Sequence, residues 1–209
     1  YSEMDTFCYT LSHDIRAPLY VIRQLASMLS GEIDEGNYDE VKKICGMIEK
    51  KASRAADMTD GLHKFSKALY APLNYEQINM DKLFREVYKE QAMLQGDRKI
   101  VYEQEKLPVI YADMVLIRVA LMNVLSNALK FTAQESEAWI HVYSEERESE
   151  IAYCVQDNGV GFDEKDASEM FGVFHRLHGE EFSGDGIGLA TVKRIVDRHN
   201  GTVEIFSKP

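Results

Sequence analysis

Apolar residues recur at helical spacing through the first third of the chain. Stepping about 100° per residue from Leu11, residues Met4, Phe7, Ile15, Leu19, Ile22, Leu25 and Leu29 fall on one side of a helix. Turn formers across Gly31-Glu32-Ile33-Asp34-Glu35-Gly36-Asn37 interrupt this stripe. A second stripe follows, with Val41, Ile44, Ile48, Ala52, Ala55, Met58, Leu62, Phe65 and Leu69 at heptad-like spacings. Residues 1–70 therefore read as an antiparallel helical hairpin. Two helices cannot enclose a core alone, so pairing with a second copy into a four-helix bundle is expected. Residues 71–74 read as a linker, because Pro72 cannot continue a helix and biases Ala71 away from one.

From Tyr75 the pattern becomes mixed. Asn79 or Asp81 can cap a helix reaching about Leu94, and Lys99–Glu103 and Val109–Tyr111 read as short strands. Asp113–Phe131 reads as a helix with Val115, Val119, Met122, Leu125, Ala128 and Leu129 as its buried side. Alternation over Ala138–Glu145 and Glu150–Gln156 predicts a hairpin of strands. After an irregular stretch rich in glycine, Ile187–His199 reads as a helix and Thr202–Ser207 as a strand. The fold class is α+β: a helical hairpin followed, over residues 75–209, by an α/β sandwich with helices on one face.

Hydrophobic residues make up 45% and charged residues 28%, the balance of a globular chain. The formal net charge of -11 and the lack of any dense Lys/Arg block exclude a general nucleic-acid binder. Cys8, Cys45 and Cys154 are too few and too widely spaced for a disulfide framework or a zinc site, and read as free thiols in a reducing compartment. No apolar run of the roughly 18 residues that span a bilayer is apparent. The chain opens on Tyr1 with no signal peptide, so it reads as a piece of a longer protein. A cytoplasmic fragment is expected, tied to a membrane only through segments upstream, if at all.

Four motifs carry the candidate chemistry. In Ser12-His13-Asp14-Ile15-Arg16-Ala17-Pro18-Leu19, His13 lies about 200° from Leu11 and so faces away from the stripe. A neutral imidazole is a phosphoryl acceptor near pH 7, and Asp14 can take the proton of its other ring nitrogen. Alone, this is a surface His beside a surface Asp. Pro18 costs roughly 3 kcal/mol inside a helix, so a kink one turn from His13 is expected to serve a purpose. In the segment from Asn123 to Thr132, residues Asn123, Asn127 and Lys130 share one helical face. Their groups suit Mg²⁺ and phosphate oxygens, although the same pattern describes an ordinary polar face. Asp157-Asn158-Gly159-Val160-Gly161-Phe162 follows a strand, where a carboxylate can accept from an adenine amino group and glycines admit a close base. It also reads as a plain turn. Gly184-Asp185-Gly186-Ile187-Gly188-Leu189-Ala190 opens a helix, and N–H groups there favour phosphate. A dinucleotide fold competes weakly, since its fingerprint needs a strand directly before the glycines.

In order and spacing these four resemble the H, N, G1 and G2 boxes of sensor histidine kinases of two-component systems, and Met170–Leu177 resembles that family's F box. The resemblance covers nearly the whole chain. It implies a dimerisation and phosphotransfer hairpin, a linker, and an ATP-binding domain of the gyrase, MutL and histidine kinase type. His13 would be the phosphoacceptor, Asp14 its acid–base partner, and Asn123 would assist catalysis. Asn127 would hold Mg²⁺, with Asn123 and Lys130 near metal and phosphates and Phe131 beside them. Asp157 would read adenine in a pocket lined by Gly159 and Gly161. Gly184, Gly186, Gly188 and Leu189 would form the lid hinge and phosphate cradle, with Arg176 and His178 as phosphate contacts. ATP and Mg²⁺ are the implied cofactors, and a second copy and a response regulator receiver domain the implied partners. Two departures stand out. Ala17 occupies a position where the family usually carries Thr or Asn, and the family's usual final strand has no counterpart before Pro209. Outside these motifs, His63, His141 and His199 read as structural or surface residues. The rival readings are a gyrase-like or MutL-like ATPase, which has no use for His13-Asp14, and a dimeric scaffold without turnover.

Overall fold

A computed structural model describes residues 3–207 except 71, 149, 168, 174, 176–181 and 183–185, and gives the backbone alone for residues 3–15, 54, 57, 62–70 and 166. The chain divides into two compact units, Tyr1–Lys64 and Phe65–Pro209.

The first unit is helical. Helix α1 (Glu3–Asp34) runs through Pro18 without interruption, and α2 (Tyr38–Tyr70) extends into the second unit. The predicted break between them closes at Gly36, whose φ of 74° is a left-handed conformation that glycine adopts without strain. The Asn37 side chain donates to the Glu32 carboxylate at 2.9 Å across the turn. Leu25, Ile44 and Met58 are buried, whereas Leu19, Met28, Ile33 and Met47 remain exposed. The stripe positions Met4, Phe7, Leu11, Ile15, Leu62, Phe65 and Leu69 lie outside the described side chains.

The second unit begins with β1 (Tyr75–Asn79), followed directly by α3 (Met80–Ala92). Asn79 caps α3 by accepting from the Lys82 N–H at 3.0 Å, and a 3₁₀ turn over Met93–Gln95 ends it. Strands β2 (Ile100–Gln104) and β3 (Val109–Asp113) lead into α4 (Met114–Phe131). The hairpin β4 (Ala138–Glu146) and β5 (Ile151–Asp157) follows, and α5 (Gly188–Arg198) comes last. β1 pairs antiparallel with β3, while β4 is central to a second sheet, parallel to β2 and antiparallel to β5.

Inward residues of β4, Ile140 and Val142, pack with Phe84 and Val87 of α3 and Leu125 and Leu129 of α4. The opposite side of α4 offers Leu116 and Ala120 to Val192 and Ile195 of α5. This corrects one sequence expectation: Met114–Phe131 is long and apolar enough, by composition, to cross a membrane. Packing on two sides accounts for that apolarity, because a helix between two clusters needs no wide polar face.

A second correction concerns Thr202–Ser207, which is not a strand. Its alternation survives, with Val203 and Ile205 half-buried and Glu204 and Phe206 exposed. Side chains hold it instead: Arg147 pairs with Glu204 at 3.3 Å, and the Ser207 hydroxyl accepts from the Phe162 N–H at 2.9 Å. Alternation creates a docking face, but a strand also needs a ladder partner.

The histidines read as structural behave so where described. His199 Nε2 accepts from the Asp113 N–H at 3.0 Å, and its Nδ1 lies 2.7 Å from the Ile195 carbonyl, so Nδ1 carries the proton. His141 Nε2 lies 3.2 Å from a Glu105 carboxylate oxygen, with its ring between Trp139 and Tyr143. The His63 side chain lies outside the described residues.

Candidate functional site

Helix α4 is the floor of the site. Asp113 caps its start, accepting from the Leu116 N–H at 3.0 Å and from the linker N–H of Asn74 at 2.8 Å. Burial opposes ionisation of Asp113, but the N–H groups of Asn74, Leu116 and Val115 outweigh it and hold the carboxyl below the usual range. Asn123, Asn127 and Lys130 are half-buried along one face. The Asn123 amide donates to Val119 O at 2.9 Å, which turns its oxygen outward from the helix. The Lys130 ammonium lies 4.2 Å from the centre of the Phe131 ring, a cation–π distance.

Both glycine motifs reach this floor, Gly188 at its middle and Gly159 at its C-terminal end. A Cβ on Gly188, the first residue of α5, would lie 2.9 Å from Asn123 Oδ1. Ile187 at the N-cap of α5 has no side-chain acceptor to cap the first turn, and helix N-terminal N–H groups favour an anion. At the C-terminal end of α4, a Cβ on Gly159 would fall 2.8 Å from both the carbonyl carbon and oxygen of Phe131, and the Val160 N–H donates to that oxygen at 3.3 Å. Asn123 and Phe131 are eight residues apart, about 12 Å of helix. Gly161 and Gly186 have φ of 63° and 74°, conformations that side chains rarely adopt. Leu189 is half-buried in the first turn of α5.

Asp157 ends β5 and accepts from the Gly159 N–H at 2.9 Å. Its surroundings strip enough water from the carboxyl that burial raises its pKa, and the Gly159 bond only partly offsets this. Asp157 is exposed and the Gly159 bond commits only one carboxylate oxygen, so the other can accept from a donor.

Of the predicted site residues, Asn123, Asn127, Lys130, Phe131, Asp157, Gly159, Gly161, Gly186, Gly188 and Leu189 are described, and α4 gathers both glycine segments. The side chains of His13 and Asp14, and all of Arg176, His178 and Gly184, lie outside the described residues. The Asn127 side chain makes no hydrogen bond to the described residues, so its amide oxygen is available to a metal. No cluster of three or more His, Cys, Asp or Glu suited to a metal exists among the described residues. An oxygen of one amide fits Mg²⁺, which keeps most of its ligands as water and substrate phosphate.

Sequence reasoning passed over two residues here. Asn158 mimics a further rung of the hairpin: its N–H and its Oδ1 pair with the Trp139 carbonyl and N–H at 3.3 and 2.7 Å, and its amide donates to Glu137 O at 3.0 Å. Its place between Asp157 and Gly159 was the available signal. Phe182, buried, meets Phe131 edge to face at 5.3 Å.

Comparison with known proteins agrees with this geometry. Residues 112–209 match the family described as histidine kinase-, DNA gyrase B-, and HSP90-like ATPase. The methanogenesis regulatory histidine kinase FilI of Methanothrix harundinacea is 28% identical over 211 residues, 99% of this chain and 23% of that protein. The histidine kinase AdeS of Acinetobacter baumannii shares the fold with a TM-score of 0.64 at 20% identity, over 94% of this chain and 91% of that one. Histidine kinase ThkA, in a crystal structure with response regulator protein TrrA, gives a TM-score of 0.63 at 20% identity, over 94% of this chain and 55% of that one. The chain spans roughly a quarter of the length of the first curated relatives it matches. Asn123, Asn127, Asp157 and the segments of Gly159 and Gly188 all lie within the matched stretch, and residues 112–209 are similar to the histidine kinase-, DNA gyrase B-, and HSP90-like ATPase family.

Proposed function

We propose that this chain is the autokinase core of its parent protein, transferring the γ-phosphoryl group of ATP to His13 and from there to an aspartate of a response regulator. The observation that carries the reading is the convergence of Gly188 on Asn123 and Gly159 on Phe131, which brackets the C-terminal half of α4 between a phosphate-suited and a base-suited segment. Asp157 accepts the adenine amino group, and the first N–H groups of α5 receive phosphate oxygens. Asn127 would hold Mg²⁺, which neutralises phosphate charge when bound, with Asn123 near the metal and the Lys130 ammonium near the phosphate oxygens. Arg176, His178, Gly184, Gly186, Gly161 and Leu189 belong to the same reading as phosphate contacts, hinge and pocket wall.

In the transfer, a ring nitrogen of His13 forms a bond to the γ-phosphorus as the bond to the ADP oxygen breaks, in line. Asp14 accepts a hydrogen bond from the other ring N–H and stabilises the charge that develops there. Residues 1–70 act as dimerisation and phosphotransfer unit, 71–74 as linker and 75–209 as kinase domain. Exposure of Leu19 in the first stripe, and of Met28, Ile33 and Met47 outside the two stripes, supports a homodimer in which a second copy covers apolar surface of the helices. The response regulator partner rests on similarity to kinases of that class, and a cytoplasmic setting belongs to the same proposal.

Incubation with γ-labelled ATP and Mg²⁺ tests this. Acid-labile, alkali-stable label on the protein is the expected result. Free phosphate alone would indicate an ATPase, and neither product a scaffold.

A further inference from the structure

The last turn of α4 is held from two sides. On one side the Phe131 carbonyl abuts Gly159 and accepts from Val160. On the other side stands Arg98, in the link between the 3₁₀ turn and β2. Its Nη1 donates to Leu129 O and to Gln95 Oε1, both at 2.9 Å. Its Nη2 donates to Thr132 O at 2.7 Å and approaches Thr132 Oγ1 at 3.3 Å. Thr132 is fully buried, and its hydroxyl donates back to Ala128 O at 2.8 Å.

Carbonyls at a helix C-terminus lack partners within the helix and carry partial negative charge. A planar guanidinium satisfies two of them at once and fixes their relative position, which a single ammonium does less rigidly. Between the two gripped carbonyls lie Lys130 and Phe131. The contact beyond them is close: a Cβ at Gly159 would lie 2.8 Å from the Phe131 backbone, and the Val160 N–H donates to the Phe131 carbonyl at 3.3 Å. Any shift of that turn is therefore passed to Gly159, whose N–H holds the Asp157 carboxylate at 2.9 Å.

We propose that Arg98 is a positioning residue of the nucleotide site, clamping the C-terminal turn of α4 so that the Phe131 carbonyl sets the Gly159 segment, and through it Asp157, against the base. It rests on the nucleotide-site reading above. Arg98 acts through Phe131 rather than by touching nucleotide.

The test is ATP-dependent self-phosphorylation of the full chain carrying Arg98→Met or Arg98→Lys, with ATP affinity measured by calorimetry. Arg98→Met is expected to raise KM for ATP about tenfold with kcat within about threefold, and the dissociation constant should move with KM. Arg98→Lys keeps the cation without the fork and should fall between the two. Mere loss of folded protein would lower kcat and leave KM alone. An unchanged KM, or a fall in kcat larger than the rise in KM, overturns the proposal. If Arg98→Met does not fold, the KM of Arg98→Lys decides by the same criteria. Failure of the unaltered chain to bind ATP would instead overturn the nucleotide-site reading itself.

Discussion

The Cβ that Gly188 lacks would lie 2.9 Å from Oδ1 of Asn123. That distance is well below ordinary contact, and the amide is not free to swing aside, since its nitrogen bonds Val119 O at 2.9 Å. Helix α5 therefore starts against the amide that the nucleotide reading places near the metal and phosphates.

Gly188→Ala should cost about 1–3 kcal/mol in thermal or denaturant unfolding, the usual scale of overpacking. In an Asn123→Ala background the same change should cost almost nothing, because the clashing atoms are gone. Unfolding curves for the four proteins of this cycle check it, with non-additivity as the signature. Equal costs in both backgrounds would contradict the contact.

Asp157→Asn should weaken ATP binding by about 1.5–3 kcal/mol, the range for a hydrogen bond to a charged acceptor. Its pH dependence follows from the raised pKa. The ionised form must accept the adenine amino group, so affinity falls on acidification at a pH above that of an ordinary aspartate, about 3.9. For folding the sign is opposite. A raised folded pKa contributes stability that is present below the unfolded pKa and lost as pH rises through the folded one. At neutral pH the ligand-free Asp157→Asn protein should therefore melt no lower than the parent. Calorimetric titration across pH, with melting curves, tests both halves.

Local pattern revealed much of this architecture. The cap at Asn79, the span of α4 and the β4–β5 hairpin all follow from residues within a few positions of one another. The parallel pairing of β2 with β4 does not, because that register joins segments some 38 residues apart, as in Ile100 with Ala138. The same separation hid Arg98, whose carbonyl partners at Leu129 and Thr132 lie 31 and 34 residues away. Asn158 was hidden differently: within its motif it passes for a turn former, and only the hairpin register shows it bonding the Trp139 backbone. Thr202–Ser207 misled because periodicity reports which face is covered, not whether a neighbouring strand exists.

Ala17 is exposed on α1, one turn after His13. Its methyl group can neither donate nor accept a hydrogen bond, so it cannot orient a water for dephosphorylation of a partner. The chain should show strong kinase and weak phosphatase activity toward its response regulator, with Ala17→Thr raising dephosphorylation by roughly 10²-fold. Following loss of label from the phosphorylated regulator checks this. Rapid loss with the unaltered chain, unaffected by Ala17→Thr, would show that another group sets the balance.

The central claim is that His13 receives the γ-phosphoryl group from a nucleotide held over α4. The most direct measurement is incorporation of label from γ-labelled ATP into the unaltered chain and into His13→Gln, with ATP affinity measured on both. The account predicts acid-labile label on the first, none on the second, and dissociation constants within a few-fold of each other. Substantial label persisting on His13→Gln would contradict it.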